Sequence, residues 1–126
     1  MNRDKEILLD AIEACRLILQ FSQGFDRESF EQDKKTQSSV LYQIAILGET
    51  TNRFSTDFTT ANYQIPFHAI RGMRNRIIHE YKEVDAFILW EVIRVDIPNL
   101  LKALEQIDSS LSLLKNIGQF IASVDN

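Results

Sequence analysis

Between Leu89 and Leu114 the chain places Leu89, Ile93, Ile97, Leu100, Leu104, Ile107, Leu111 and Leu114 at spacings of four or three residues, alternating from Ile93 onward. Side chains at that beat share one stripe of an α-helix, so about six turns or more of the second half are committed to a single apolar seam. Pro98 falls inside it. Proline removes one backbone hydrogen bond and its ring clashes with the preceding turn. The expectation is one long helix kinked near Val95, or two abutting helices with Asp96 as the cap. Asn116 and Gly118 supply a stop, followed by a short tail from Gln119 to Asn126.

The same beat recurs upstream. Leu8, Ile12, Cys15, Leu19 and Ser22, flanked by Ala11 and Ile18, mark a helix from Arg3 to about Gln23, with Gly24 just past its end. Val40, Ile44, Leu47, Thr51 and Phe54 mark a second from about Lys34 to Phe54, with Asp33 as N-cap. Gly48 inside it lowers helix propensity by roughly 1 kcal/mol relative to alanine, which points to close approach of another backbone or side chain at that level. Pro66 suits the first turn of a third helix running toward Ile78, with Ile70, Met73 and Ile77 on its core stripe. The segments from Phe25 to Asp33 and from Ser55 to Ile65 read as connections, the first with at most a helical turn. Together these features predict an all-α, antiparallel bundle of four to five helices in a single domain spanning residues 1–126.

Composition narrows what the bundle does. A net charge of -4 argues against broad electrostatic coating of nucleic acid, so any such contact is local. The single Cys15 cannot form an internal disulfide, the opening residues are charged, and no apolar run approaches the roughly 18 to 20 residues that span a bilayer. A cytoplasmic protein with no membrane role is expected. There is no glycine-rich phosphate loop, and His68 and His79 lack a third ligand at metal spacing, so no metal or cofactor is expected. Asp4, Glu6, Asp10 and Glu13 read as the wet face of the first helix, and Phe87 and Trp90 as core aromatics rather than a stacking platform.

Chemistry concentrates at residues 71–81, where Arg71, Arg74, Arg76, His79 and Tyr81 gather in an otherwise acidic chain. An imidazole can take or give a proton at neutral pH, and a guanidinium can hold phosphate oxygens and stabilise the charge of a pentacoordinate transition state. On RNA the 2'-hydroxyl is already the nucleophile, so Arg74 and His79 would suffice without a metal. Five residues on an ideal helix turn by about 140°, however, so the pair does not share a face. The simplest resolution ends the helix near Ile78 and lets His79 swing back toward Arg74, helped by the amide of Asn75. The plainer reading is a solvated helix end whose cations complement the helix dipole.

The run Arg74-Asn75-Arg76-Ile77-Ile78-His79-Glu80-Tyr81 resembles the R-x4-H-x-Y signature of HEPN-domain proteins, specifically the HepT-like toxin branch. The likeness extends in order and spacing to Thr36-Gln37-Ser38-Ser39-Val40, Ile46-Leu47-Gly48-Glu49-Thr50, Leu89-Trp90-Glu91-Val92-Ile93 and Ile97-Pro98-Asn99-Leu100, covering roughly residues 5–107. Thr50 departs from the alanine that often follows Gly-Glu in that branch. The resemblance implies a HEPN bundle forming a homodimer or higher homo-oligomer, with both motifs lining one cleft. It also implies metal-independent endoribonuclease activity, with Arg74 and His79 catalytic, Asn75 supporting, and Glu49 pairing with an arginine, that of a partner subunit included. Its implied partner is a minimal nucleotidyltransferase antitoxin that silences the toxin by transferring AMP to Tyr81, in a type VII-like toxin–antitoxin system. A competing reading makes the chain a non-catalytic module that binds nucleotide or substrate for that transferase.

Overall fold

A computed structural model describes residues 2–124. Among the described residues four long helices form the body: α1 (Asn2–Phe21), α3 (Lys34–Thr51), α5 (Phe67–Glu80) and α7 (Ile97–Val124). Three short ones connect them: α2 (Arg27–Gln32), α4 (Thr56–Ala61) and α6 (Ala86–Glu91). No strand occurs among these residues, and the all-α bundle is as expected. Packing follows the apolar stripes. On α1, Leu8, Ala11, Cys15 and Ile18 are fully buried; on α3, Val40, Ile44 and Leu47 are, and Ile70 and Ile77 of α5 close over them. In this arrangement α1 lies against α3 and α7, and α3 against α5, which makes α3 the element that carries α5.

Both segments read as connections contain a helix. Asp26 caps α2 by accepting from Ser29 N at 2.8 Å, while Ser29 Oγ accepts from Asp26 N at 3.0 Å, a reciprocal box that starts a helix of only six residues. Phe30 on that helix is fully buried against Trp90, ring centroids 5.2 Å apart. Trp90 is therefore the core aromatic it was expected to be, whereas Phe87 is exposed, with the Arg27 guanidinium 5.1 Å above its ring. Further on, Ser55 caps α4 and is itself tied to α1: its N–H and hydroxyl donate to the Asp4 carboxylate at 2.9 and 2.6 Å. Asp4 is thus a tether rather than merely a wet-face residue, and its hydrogen bonds from Ser55 hold its carboxyl below the usual range.

Pro98 leaves its mark one turn upstream. Residues Val92–Asp96 form a π-helical stretch between α6 and α7, with Ile97 N donating back to Val92 O, five residues earlier. The wider turn makes room for the proline ring and fits the missing N–H without breaking the rod. Val95, the expected kink point, lies inside this stretch, and α6 runs through it into α7 without a break. The stop expected at Asn116 and Gly118 does not occur, because α7 continues to Val124. The last two residues of the expected tail lie outside the described residues. No helix among the described residues is long and apolar enough to cross a membrane.

Candidate active site

The α5 helix brings its functional side chains to the surface of α3. Met73, Ile70 and Ile77 hold its inner face, and Arg74 lies on the flank turned to α3, where Gly48 stands opposite. A Cβ at residue 48 would collide with the Cβ of Arg74 and sit 2.9 Å from its Cγ. Glycine is required there by space, since the arginine stem occupies the volume a methyl group needs. This is the close approach expected from a glycine inside an otherwise regular helix. Because the stem lies flat on α3, its guanidinium reaches Glu49, and Arg74 Nη1 donates to Glu49 Oε2. The partner of Glu49 is therefore an arginine of its own chain. Arg74 keeps only 21% of its side chain exposed while Glu49 keeps 61%, so a largely buried cation is anchored by an acceptor at the surface. Arg74 Nε is buried without a hydrogen-bond partner.

His79 is placed differently from its expectation. The α5 helix does not end near Ile78; it continues through His79 to Glu80. Its regular geometry carries Arg74 and His79 about 140° apart around the axis. Within one chain the two side chains therefore leave different faces, although both are close to the surface and His79 is exposed. The backbone departs from helix at Glu80 (φ -135°, ψ 31°), and a single tight turn, Tyr81–Glu83, follows, closed by Val84 N on Tyr81 O at 3.4 Å. Tyr81 opens that turn and is 57% exposed. Asn75 is exposed on α5 beside Arg74. Arg76 and Glu80 face each other across one turn at 3.7 Å, and with both largely exposed the pair adds little stability. Arg71 and Arg76 are thus a solvated helix flank, in line with the plainer reading for those two residues.

Beside this edge runs an apolar furrow between α5 and the α6–α7 rod. It consists of cavities of about 430 and 230 Å³ that share Met73 and Val92 in their walls. Met73 is accordingly half-buried rather than fully core, with Ile88 60% exposed near it. No group of three or more His, Cys, Asp or Glu side chains stands close enough to hold a metal ion among the described residues. Cys15, fully buried in α1, has its thiol pushed up to about 12 by burial, with Glu105 nearby adding to the shift, so it is a packing residue and not a nucleophile.

The Ribonuclease HepT-like family model matches residues 11–107, a stretch that holds α3, Glu49, Arg74, His79 and Tyr81. A probable ribonuclease HepT of Thermococcus cleftensis is 38% identical over 96 residues, 76% of this chain and 87% of that protein. Two putative RNases are similar over more of the chain. MJ0125 of Methanocaldococcus jannaschii is 30% identical over 107 residues (85% of this chain, 92% of the relative), and TTE0752 of Caldanaerobacter subterraneus is 28% identical over 107 residues (85% and 96%). No solved structure gives a significant match. With an all-α bundle, an R-x4-H-x-Y run at the end of its α5 helix, and a family match over most of its length, this chain belongs to the HepT-like ribonucleases of the HEPN superfamily.

Proposed function

We propose that the chain is a metal-independent endoribonuclease whose site is completed by a second copy, and that it is silenced by AMP transfer to Tyr81. The observation that supports this most directly is the anchoring of Arg74. A cation held over Gly48 and fixed by Glu49 is ordered before substrate arrives, which is what charge stabilisation in a transition state requires. Family membership supplies the reaction class. The 2'-oxygen of the RNA attacks the adjacent phosphorus while an imidazole takes its proton. The P–O5' bond breaks, the leaving 5'-oxygen is protonated, and a 2',3'-cyclic phosphate remains. His79 carries the proton and Arg74 holds the non-bridging oxygens, with Asn75 beside them.

The continuous helix gives the second copy its role in this reading. Since Arg74 and His79 leave α5 on different faces, a cleft between two copies joins the Arg74 and His79 pairs that one chain keeps apart. AMP on Tyr81 would then place a phosphate and a nucleoside at the end of α5, competing with RNA phosphate for the arginines. The transferring enzyme is a minimal nucleotidyltransferase acting as antitoxin, and it would find an exposed phenol.

Cleavage of RNA in EDTA with a 2',3'-cyclic phosphate product tests the reaction. His79→Ala is expected to lower kcat by at least about 100-fold, the usual scale for loss of a general acid or base, with an unchanged melting curve. Arg74→Ala is expected to do the same, though it also empties the space over Gly48. Undiminished cutting by both variants refutes the assignment. Intact-protein mass after incubation with the transferase and ATP tests the switch; a modified protein in which Tyr81→Phe makes no difference refutes it. One observation favours a second reading, a module that binds nucleotide or substrate for the transferase. That observation is the same 140° separation, which leaves a single copy with a phosphate clamp at Arg74 and Asn75 but no adjacent base. Tight ATP binding with no RNA product at any protein concentration would decide for it.

A further inference from the structure

The last turns of α7 are used neither by the bundle nor by the candidate site. Lys5 Nζ lies 2.9 Å from the Asp108 carboxylate and Arg16 Nη2 lies 2.7 Å from that of Glu105, and these ion pairs tie α7 to α1, while Ser110 and Leu111 still share a shallow cavity with Asp4 of α1 and Phe58 of α4. Every residue from Ser109 to Val124 is exposed. The family match ends at residue 107. The helix therefore leaves the body a turn past the end of the shared domain, and residues 109–124 extend for about 24 Å at 1.5 Å per residue.

This projecting segment is strongly two-sided. Leu111, Leu114 and Ile121 prolong the stripe that Leu100, Leu104 and Ile107 begin, and Leu113, Ile117, Phe120 and Val124 form the stripe beside it. Phe120 is 67% exposed, and Leu114 and Val124 are 65% exposed. The opposite side carries Ser112, Asn116, Gln119 and Ser123. Lys115 is the one charged residue between Ser109 and Val124. A helical segment of this length, held at one end only, is marginal in water unless its apolar face is packed.

The chemistry selects the cover. A segment with one charge has nothing to complement an acidic or basic partner, and it lacks the run of lysines and arginines with which an amphipathic helix holds an anionic membrane. The exposed apolar side chains amount to on the order of 700 Å² per copy, close to the roughly 800 Å² per partner of a standard stable interface. A two-fold axis sets the same patch of two copies against itself, so complementarity needs no other molecule. We propose that residues 109–124 form an assembly arm, whose apolar face packs lengthwise on the same arm of a second copy and closes along its flank on that copy's bundle. This interface lies outside the family's shared domain, is separate from α5, and does not depend on the nuclease reading.

Sedimentation equilibrium of the full chain tests the proposal. Leu114→Glu with Ile121→Glu is expected to weaken one association step at least about thirtyfold, the scale of a central interface anchor. Leu113→Ser with Phe120→Ser, which adds no charge, is expected to weaken the same step. Ser112→Glu with Gln119→Glu, on the polar side, is expected to leave it unchanged. All of these positions are exposed and lie beyond the core, so each variant should keep the cooperative thermal unfolding of the bundle, with any loss of far-UV ellipticity confined to the arm. The proposal is overturned by a monomer at all concentrations, by unchanged association in both apolar pairs, or by equal weakening in the polar-side pair. Sedimentation with phosphatidylcholine vesicles that depends on the apolar residues, with no change in self-association, overturns it as well.

Discussion

At the scale of single residues, the pairing of Gly48 with Arg74 links fold to chemistry. Gly48→Ala gains about 1 kcal/mol of helix propensity, but its methyl group meets the Cβ of Arg74, which cannot move without moving α5. Overpacking of this kind costs about 1 to 3 kcal/mol, so the variant is expected to melt lower than the unmutated chain and to lose RNA cleavage although residue 48 touches no substrate. Glu49 separates anchoring from stability. Its carboxylate is mostly solvated, so Glu49→Ala should change unfolding free energy by less than about 1 kcal/mol. Its kcat should nonetheless fall roughly tenfold, because a misplaced donor loses orientation before it loses affinity. Glu49→Gln, which keeps an acceptor, should fall less. Equal kcat in both variants and the unmutated chain would show that Arg74 holds its place without Glu49.

At the scale of elements, the two short helices missed as connections show how local signals hide. The α2 helix is six residues long, too short for an apolar stripe to declare itself, and is built from a cap and one buried side chain. Phe30→Ala should cost about 3 to 5 kcal/mol in urea unfolding, as for other fully buried aromatics. The α4 helix begins where Ser55 meets Asp4, residues far apart in sequence, and no reading of neighbours alone can see that bond. It gives a pH signature. The folded-state pKa of Asp4 is depressed by its bonds from Ser55. Its contribution is therefore fully present above the unfolded carboxyl pKa of about 3.9 and is lost as pH falls through the lower folded value. The melting temperature of Asp4→Asn should lie below that of the unmutated chain near neutrality, and the difference should shrink below about pH 4. A constant gap across that range would contradict the tether.

At the scale of the whole molecule, the charge distribution of this acidic chain sets how it would meet a polyanion. With Arg71, Arg74 and Arg76 as the basic group of α5 in a chain of net charge -4, single-stranded RNA releases few counterions on binding. The logarithm of the binding constant against that of salt should have a slope of about -2 for the arginines of one copy and -4 for those of two, taking roughly 0.7 per phosphate contact. A much steeper slope would mean a binding face that these arginines do not supply. The assembly arm belongs to this scale too, since the apolar beat that made α7 legible does not stop where the bundle does.

Periodicity by itself determined the helical class, the core stripes of α1 and α3 and that of α7 as far as Ile107, the disturbance ahead of Pro98 and the crowding at Gly48, because each is a consequence of side chains three and four residues apart on one rod. The cluster at residues 71–81 was legible for the same reason: types and spacing are local. Tertiary structure decided what lies across from what. It put the Arg74 stem over Gly48, turned Glu49 toward Arg74 of the same chain, and joined Asp4 to Ser55. It also carried α5 past Ile78, so that His79 and Arg74 leave on different faces. Each of these depends on contacts between segments distant in the chain, or on where packing allows a helix to end, and the free energies that settle such contacts come from burial and close fit rather than from the order of neighbouring residues.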